Sequence, residues 1–550
     1  MRPLAITNRV ENMDVDFATA WEEVAELFPN RKASISDGKA VSWNQFEHRA
    51  SQIASLLVAH GLGKDSKVGL YLHNSSEYLE TSFGAFKIEG CPINVNYRYK
   101  AEELVYLLDN ADAEAVFFQS CYAMRIWEIK DRLPKVKVYV QIDDGTEALL
   151  KGAIDYERSI RSLEAWPRQM RSAQGIYMLY TGGTTGLPKG VMYEVGAFAG
   201  RFIDMVASDM GLDSPDSTEE YRQLLSKIEN PPVALPACPL MHGTGMWLGG
   251  FLPLLSGGCV VTTSTLGLNP DLLLSMVETY RVTDLVIVGD VFAKPILDSL
   301  DFAEKRNDPF DLSSLQKITS SGVMWSEAVK QGLLHHQDLV LTDIMGSTEG
   351  GMGSSVTTRG GSSFATAKFD LGDGVIVISD DGAEVKPGSG QVGRLATSAS
   401  VPLGYFKDPE KSKATFIEMN GLRYSLPGDY ATVEEDGTIT LLGRGSVCIN
   451  TAGEKDFPEE VEEVVKKCEG VTDCLVVGIP DERFGERVIA VVSSEEDLTL
   501  EEPGLIDFSK ERLAGYKVPK GVVFVVQVRR GPNGKGDYKW AKEAAIKYYG

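Results

Sequence analysis

One stretch constrains this 550-residue chain more than any other: Tyr180-Thr181-Gly182-Gly183-Thr184-Thr185-Gly186-Leu187-Pro188-Lys189-Gly190. It follows the apolar run 176–179, which reads as a short buried strand. Four glycines, three threonines and one lysine share these eleven positions. Glycine lets a backbone turn tightly and approach a ligand closely. Successive N–H groups and threonine hydroxyls can surround phosphate oxygens, and Lys189 adds a mobile positive charge. The stretch therefore reads as a polyphosphate cradle. It is not the Walker loop, because Lys189 stands between Pro188 and Gly190 rather than in a Gly-Lys-Ser/Thr run.

A chain of this length exceeds one ordinary core, so two or more domains are expected. No apolar run approaches the ~18–20 residues that cross a bilayer. The first residues lack the apolar core of a signal peptide, so a cytoplasmic location is expected. The net charge of -23 argues against nucleic acid as the main partner, although a local site can still be positive enough for a nucleotide. Seven cysteines form no Cys-x-x-Cys pair and suit reduced thiols. The scattered histidines do not suggest a structural zinc site.

From the start, helical spacing at Phe17, Trp21, Val24 and Leu27, and again at Phe46, Ala50, Ile53 and Leu57, flanks a predicted hairpin turning at Asp37-Gly38. Strand 67–72, a helix bearing Leu79, Phe83 and Phe86, an apolar run at 91–95, helix 101–110 and strands 115–118 and 136–142 then alternate. That alternation predicts an α/β fold with doubly wound, largely parallel sheets, whose ligands sit beyond the carboxyl ends of the strands. The 181–190 loop is expected at such a strand end. Residues 211–231 are polar and read as a surface insertion.

Further strands are predicted at 284–288, running into Gly289-Asp290, at 316–319, entering Ser320-Ser321-Gly322-Val323, and at 339–344, ending in Met345-Gly346-Ser347-Thr348-Glu349-Gly350. Between them lies Pro239-Leu240-Met241-His242-Gly243-Thr244-Gly245. Its glycines, with Gly249 and Gly250, leave room either for a bulky substrate or for close packing. The chain then turns β-rich, through Gly428-Asp429 and Leu442-Gly443-Arg444-Gly445-Ser446. It closes with Asn450-Thr451-Ala452-Gly453-Glu454-Lys455 and Gly531-Pro532-Asn533-Gly534-Lys535-Gly536.

Taken in this order over residues ~175–535, these segments resemble the adenylate-forming superfamily of acyl-CoA synthetases, non-ribosomal peptide synthetase adenylation domains and luciferases. The resemblance implies a large N-terminal domain of doubly wound sheets plus a β-rich subdomain (1–444) and a small mobile α+β C-terminal domain (445–550). It also implies site roles. Thr181, Gly182, Gly183, Thr184, Thr185, Gly186 and Lys189 would hold the phosphates, and His242 would flank the bound carboxylate. Ser321, Gly322, Val323, Met345, Gly346, Ser347 and Thr348 would hold AMP, Met345 replacing the usual aromatic ring against adenine. Glu349 would hold Mg²⁺, Asp429 the ribose hydroxyls, and Arg444 ribose and phosphate. Ser446 would be the hinge, Gly453 would line the CoA channel and Lys535 would be the catalytic lysine. Arg394, Pro427, Ser446 and Asn450 depart from the usual family residues.

The chemistry accounts for a lysine on a glycine turn. A carboxylate must approach the equally anionic α-phosphate, and a compact ammonium can bridge the two. Within the superfamily the segments look like those of bacterial ligases for steroid side-chain acids, in the fatty-acyl branch. The implied activity is that of an AMP-forming acyl-CoA synthetase (ATP, Mg²⁺ and coenzyme A) acting on a hydrophobic carboxylic acid, a fatty acid or steroid side-chain acid. Alternatives are an acyl-AMP ligase loading a carrier protein and a non-catalytic nucleotide-binding regulator. No carrier domain follows Gly550, which favours CoA as acceptor. A homodimer is left open.

Overall fold

The computed structural model describes residues 15–181, 187–361, 365–451, 454–481, 485–495, 500–532 and 534–549. Helices Phe17–Leu27 and Trp43–Ala59 flank the antiparallel strands Lys32–Ser36 and Lys39–Ser42. Asp37 and Gly38 turn between the strands with φ of 46° and 83°, the pair of positive values a two-residue hairpin turn needs.

Two parallel sheets follow from the alternation of strand and helix. In one, Cys91–Asn94, Lys67–Tyr71, Ala113–Gln119, Val138–Ile142 and Ile154–Asp155 lie side by side. In the other, Lys32–Ser36, Cys259–Thr262, Val233–Pro236, Asp284–Ile287, Lys317–Ser321 and Val340–Ser347 run parallel in that spatial order. The second sheet does not stop there. Val340–Ser347 pairs antiparallel with Gly350–Thr357, and the ladder continues through Lys368–Leu371 into Ile439–Arg444 and Asp429–Val433. The β-rich region is thus hydrogen-bonded onto the parallel sheet while keeping its own core around Met352, Phe369 and Leu395.

A separate small sheet joins Ile449–Thr451, Glu454–Asp456, Val471–Asp481, Gly485–Ser494 and Gly521–Val525 near the C-terminus. Helices Pro458–Val465 and Tyr538–Tyr549 pack on it. The chain therefore has a large sheet-rich N-terminal part and a small α+β C-terminal part.

Two expectations need correction. Ile176–Thr181 belongs to neither parallel sheet. It pairs antiparallel with Lys189–Glu194, and Gly404–Tyr405 adds a third strand. Thr181 lies opposite Lys189, so the strand before the Gly/Thr run ends in an antiparallel pair rather than in a doubly wound parallel sheet. Nor is 211–231 merely a surface insertion. Helix Thr218–Ser226 begins where Ser217 accepts from Glu220 N at 3.2 Å, and it buries Tyr221, Leu224 and Leu225 in the main core. The Tyr221 hydroxyl donates to Leu255 O at 2.7 Å. Helical spacing of three apolar residues decides the matter against the polar composition.

Candidate active site

A cavity of about 690 Å³ opens where the parallel strands end. Cys238 follows one strand, Val288 a second, and Ser321 and Gly322 close a third; Gly346, Ser347 and Thr348 end a fourth. This is the carboxyl-edge position expected of a doubly wound sheet. Thr181 reaches the cavity from the hairpin, and Asn94 from the other parallel sheet.

Asn94 holds two walls together. Its Nδ2 donates to Tyr180 O at 2.8 Å and to Met241 O at 2.7 Å, while its Oδ1 accepts from Tyr180 N at 2.7 Å. Asn74 does the same one segment away, donating to Cys238 O at 3.0 Å and accepting from Leu240 N at 2.7 Å. Buried amides with filled hydrogen bonds fix the backbone on either side of them. Their partners lie 86 to 166 residues away, so the sequence offers as a signal only a polar residue inside an apolar run at Asn94, and none at Asn74.

His242 lines the cavity, and its Nε2 is buried without a hydrogen-bond partner among the described residues. Burial, with lesser contributions from the cations Lys535 and Arg98, holds its pKa down to about 3. The imidazole is therefore neutral at physiological pH. The glycines after it serve close packing: a Cβ on Gly245 would overlap Pro239 O, and one on Gly249 would lie 2.6 Å from Pro236 Cβ. Thr244 continues the chain into a π-helical segment, Thr244–Phe251, that carries Trp247 and Leu248 into the cavity.

Lys535 enters from the C-terminal part. Gly531 N donates to Lys535 O at 2.8 Å, and Gly534 N to Gly531 O at 3.0 Å. Arg530 braces this turn, giving two 2.7 Å bonds to Asp473 and one of 3.0 Å to Gly534 O. Gly534 packs against Val288 and Val291 of the large part, and Gly536 leaves room for Leu475. Burial first, then Arg444, lowers the Lys535 pKa to about 8, against the opposing pull of Glu349 and Asp429. The ammonium thus shares the cavity with His242 and stands within electrostatic reach of the other three groups.

Asp429 and Arg444 face each other across two paired strands, with Arg444 Nε donating to Asp429 Oδ1 at 3.1 Å. That carboxylate is the largest cause of the raised Arg444 pKa. Glu349 sits in the turn after Val340–Ser347, where its N–H donates to Ser347 Oγ at 3.1 Å. Its Oε1 accepts from the Tyr405 hydroxyl at 2.8 Å. Lys189 lies 5.5 Å from the centre of the Tyr405 ring and pairs with Asp408 at 3.2 Å. Thr348 O accepts from the Tyr193 hydroxyl at 2.7 Å. Among the described residues no three His, Cys, Asp or Glu side chains converge. Mg²⁺ does not require that, since one or two carboxylates and substrate phosphates suffice to hold it. Glu349 fits such a role.

Of the expected site residues, Lys189, Val323, Met345, Glu349, Asp429 and Arg444 are not part of the cavity lining. Met345 is buried among Met352, Phe369 and Val375 and is not part of the lining, whereas its neighbours Ile344 and Gly346 are. Strand alternation turns it to the opposite face, so the expected thioether packing against adenine is replaced by core packing. Val323 likewise packs against the second core cluster. Ser446 lies in the short turn Gly445–Val447. Gly182, Gly183, Thr184, Thr185, Gly186 and Gly453, with the roles expected of them, lie outside the described residues.

Motif order, sheet topology and the lysine-bearing turn together define an adenylate-forming enzyme. The chain belongs to the AMP-binding enzyme family, which it matches over residues 21–406, with the AMP-binding enzyme C-terminal domain at 460–535. It is 41% identical to 3-oxocholest-4-en-26-oate–CoA ligase of Rhodococcus rhodochrous, over 96% of each chain. It is 38% identical to the medium/long-chain-fatty-acid–CoA/3-oxocholest-4-en-26-oate–CoA ligase of Mycolicibacterium smegmatis, again over 96% of each. The fold is also that of an anthranilate CoA ligase, AuaEII, crystallised with anthranoyl-AMP. That structure superposes with a TM-score of 0.82 at 20% identity, covering 97% of this chain and 98% of the other.

Proposed function

We propose that the protein is an ATP-dependent, AMP-forming acyl-CoA synthetase for a hydrophobic carboxylic acid of the fatty or steroid side-chain kind. The observation that carries this reading is the position of Lys535, on a braced turn of the C-terminal part and inside the cavity at the strand ends.

In the first half-reaction a carboxylate oxygen attacks the α-phosphorus, the bond to the bridging oxygen breaks and pyrophosphate leaves. The protein mainly positions and neutralises. The Lys535 ammonium bridges the two anions, with Arg444 supplying a second positive charge beside it. Neutral His242, with an unfilled Nε2, orients the carboxylate. Asp429 accepts from the ribose hydroxyls, and Ser321, Gly322, Gly346, Ser347 and Thr348 bound the nucleotide. Mg²⁺ held by Glu349 would neutralise phosphate charge as pyrophosphate departs. In the second half-reaction the CoA thiolate attacks the acyl carbon and AMP leaves.

That step needs the lysine out of the way. Ile439–Arg444 pairs in the large sheet and Ile449–Thr451 in the small one, with Gly445–Val447 between. This supports a division at 444/445, with rotation about the turn containing Ser446 and Gly453 then lining the thiol's path. A cytosolic location suits the chemistry, because ATP and CoA are supplied there and the cysteines are free thiols.

Acid-dependent exchange of labelled pyrophosphate into ATP, followed by mass spectrometry of CoA products from mixed fatty and steroid acids, tests the reading. Acyl-CoA products are expected; no exchange with any acid would overturn it.

A further inference from the structure

Helix Val195–Asp209 turns Phe198, Arg201, Phe202 and Met205 toward the cavity. Their spacing of three, four and seven residues is one helical face. Three of the four are apolar, and the π-helical wall adds Trp247 and Leu248. Arg201 is the exception on an aromatic surface. Among the described residues it makes no hydrogen bond and no ion pair.

Arg201 is also closely seated. A Cβ built on Gly351 would lie 2.6 Å from Arg201 Nη2, so the guanidinium lies against bare backbone in the strand that follows Glu349. Arg201 is separate from the catalytic cations as well. Its charge acts on the Tyr193 hydroxyl, whereas Lys535 responds to Arg444, Glu349 and Asp429, and His242 responds to Lys535 and Arg98.

Arg201 lines the cavity without an acceptor among the described residues, so an oxygen of a bound acid could take a charge-assisted hydrogen bond from it. Its planar fork matches carbonyl and carboxylate oxygens. We propose that Arg201 is a specificity-determining residue that reads a carbonyl-type oxygen, of a ketone or of a second carboxylate, carried on the hydrophobic body of the acid. This rests on the acyl-activating function proposed above. A site built to hydrogen-bond a substrate group discriminates strongly against the analogue lacking it. An arginine still partly open to the cavity should give less than a fully enclosed site, roughly 10- to 100-fold in kcat/KM.

The test uses the full-length protein with three acids of equal chain length: unsubstituted, bearing a mid-chain ketone, and bearing a terminal second carboxylate. A steroid side-chain acid with and without its ring ketone is added. Pyrophosphate release gives kcat and KM for wild type, Arg201→Met, Arg201→Lys and Gly351→Ala. Wild type is expected to favour one oxygen-bearing class through KM, and the class preferred tells ketone from carboxylate. Arg201→Met should bring the ratio close to one, while Arg201→Lys retains part of it. Gly351→Ala, which displaces the guanidinium without removing its charge, should lower the ratio even if the methionine variant does not fold.

An unchanged ratio in the variants, no preference in wild type, or an equal loss of kcat for every acid would overturn the assignment. Turnover of the plain acid by wild type keeps the synthetase reading intact whatever the ratio. Absence of turnover with every acid removes both.

Discussion

Tyr405 donates a 2.8 Å hydrogen bond to Glu349 Oε1 across 56 residues of sequence. The same ring lies beneath the Lys189 ammonium, so one aromatic side chain links the hairpin lysine to the carboxylate proposed to hold Mg²⁺. Partners of this kind orient a metal ligand and typically contribute about 10- to 100-fold in affinity or activity. Tyr405→Phe keeps the ring and removes the hydroxyl. Titrating Mg²⁺ against pyrophosphate release is expected to show a requirement raised by about 10-fold or more, with little change in the KM for the acid. An unaltered Mg²⁺ curve would remove Tyr405 from the metal's surroundings.

Lys535 should matter to one half-reaction only. Lys535→Ala is expected to slow acyl-adenylate formation by about 10²- to 10³-fold, the scale of losing one aimed charge or donor at a transition state. Thioester formation from supplied acyl-AMP and CoA should stay near the wild-type rate. Equal losses in both half-reactions would contradict rotation of the C-terminal part.

The lysine also sets a pH limb. Its pKa is held down to about 8, so the ammonium is present below that value and lost as pH rises through it. kcat/KM for adenylation is therefore expected to fall on the alkaline side with a midpoint near that value. Lys535→Arg, which keeps its charge throughout, should flatten the limb at a lower rate. His242, held down to about 3, should contribute no limb between about pH 5 and 9.

Asp429 is engaged by Arg444 at 3.1 Å. Asp429→Ala removes both the proposed ribose acceptor and the partner of Arg444. Hydrogen bonds to charged groups contribute about 1.5–3 kcal/mol, so the KM for ATP should rise by about 10- to 100-fold. The KM for the acid should change little. Steady-state kinetics with each substrate varied in turn makes the distinction.

Gly245 is a packing position. A side chain there would overlap Pro239 O in the segment that carries His242. Gly245→Ala is expected to cost about 1–3 kcal/mol by overpacking, visible as a lower thermal transition, and to reduce adenylation by displacing His242. An unchanged melting curve would show that the backbone yields without strain.

Much of this site is legible as sequence because its parts are short and contiguous. The strand leading into Thr348-Glu349 and the turn carrying Lys535 each combine a local pattern with a local chemical signature. The Asp37-Gly38 turn is readable for the same reason. Where local signals misled, packing decided. Tyr221, Leu224 and Leu225 turned a polar stretch into a buried helix, and antiparallel pairing with Lys189–Glu194 took Ile176–Thr181 out of the parallel sheets.

By itself the sequence determined the family, the order of strands and helices, and which residue types stand at the strand ends, because backbone periodicity and turn chemistry act over a few neighbours. Only the tertiary structure decided which of them meet. It joined Asn94 to Met241, set Tyr405 against Glu349, turned Met345 into the core and placed Arg201 on the cavity wall against Gly351. Those relationships depend on contacts between segments tens to hundreds of residues apart, and no local pattern encodes them.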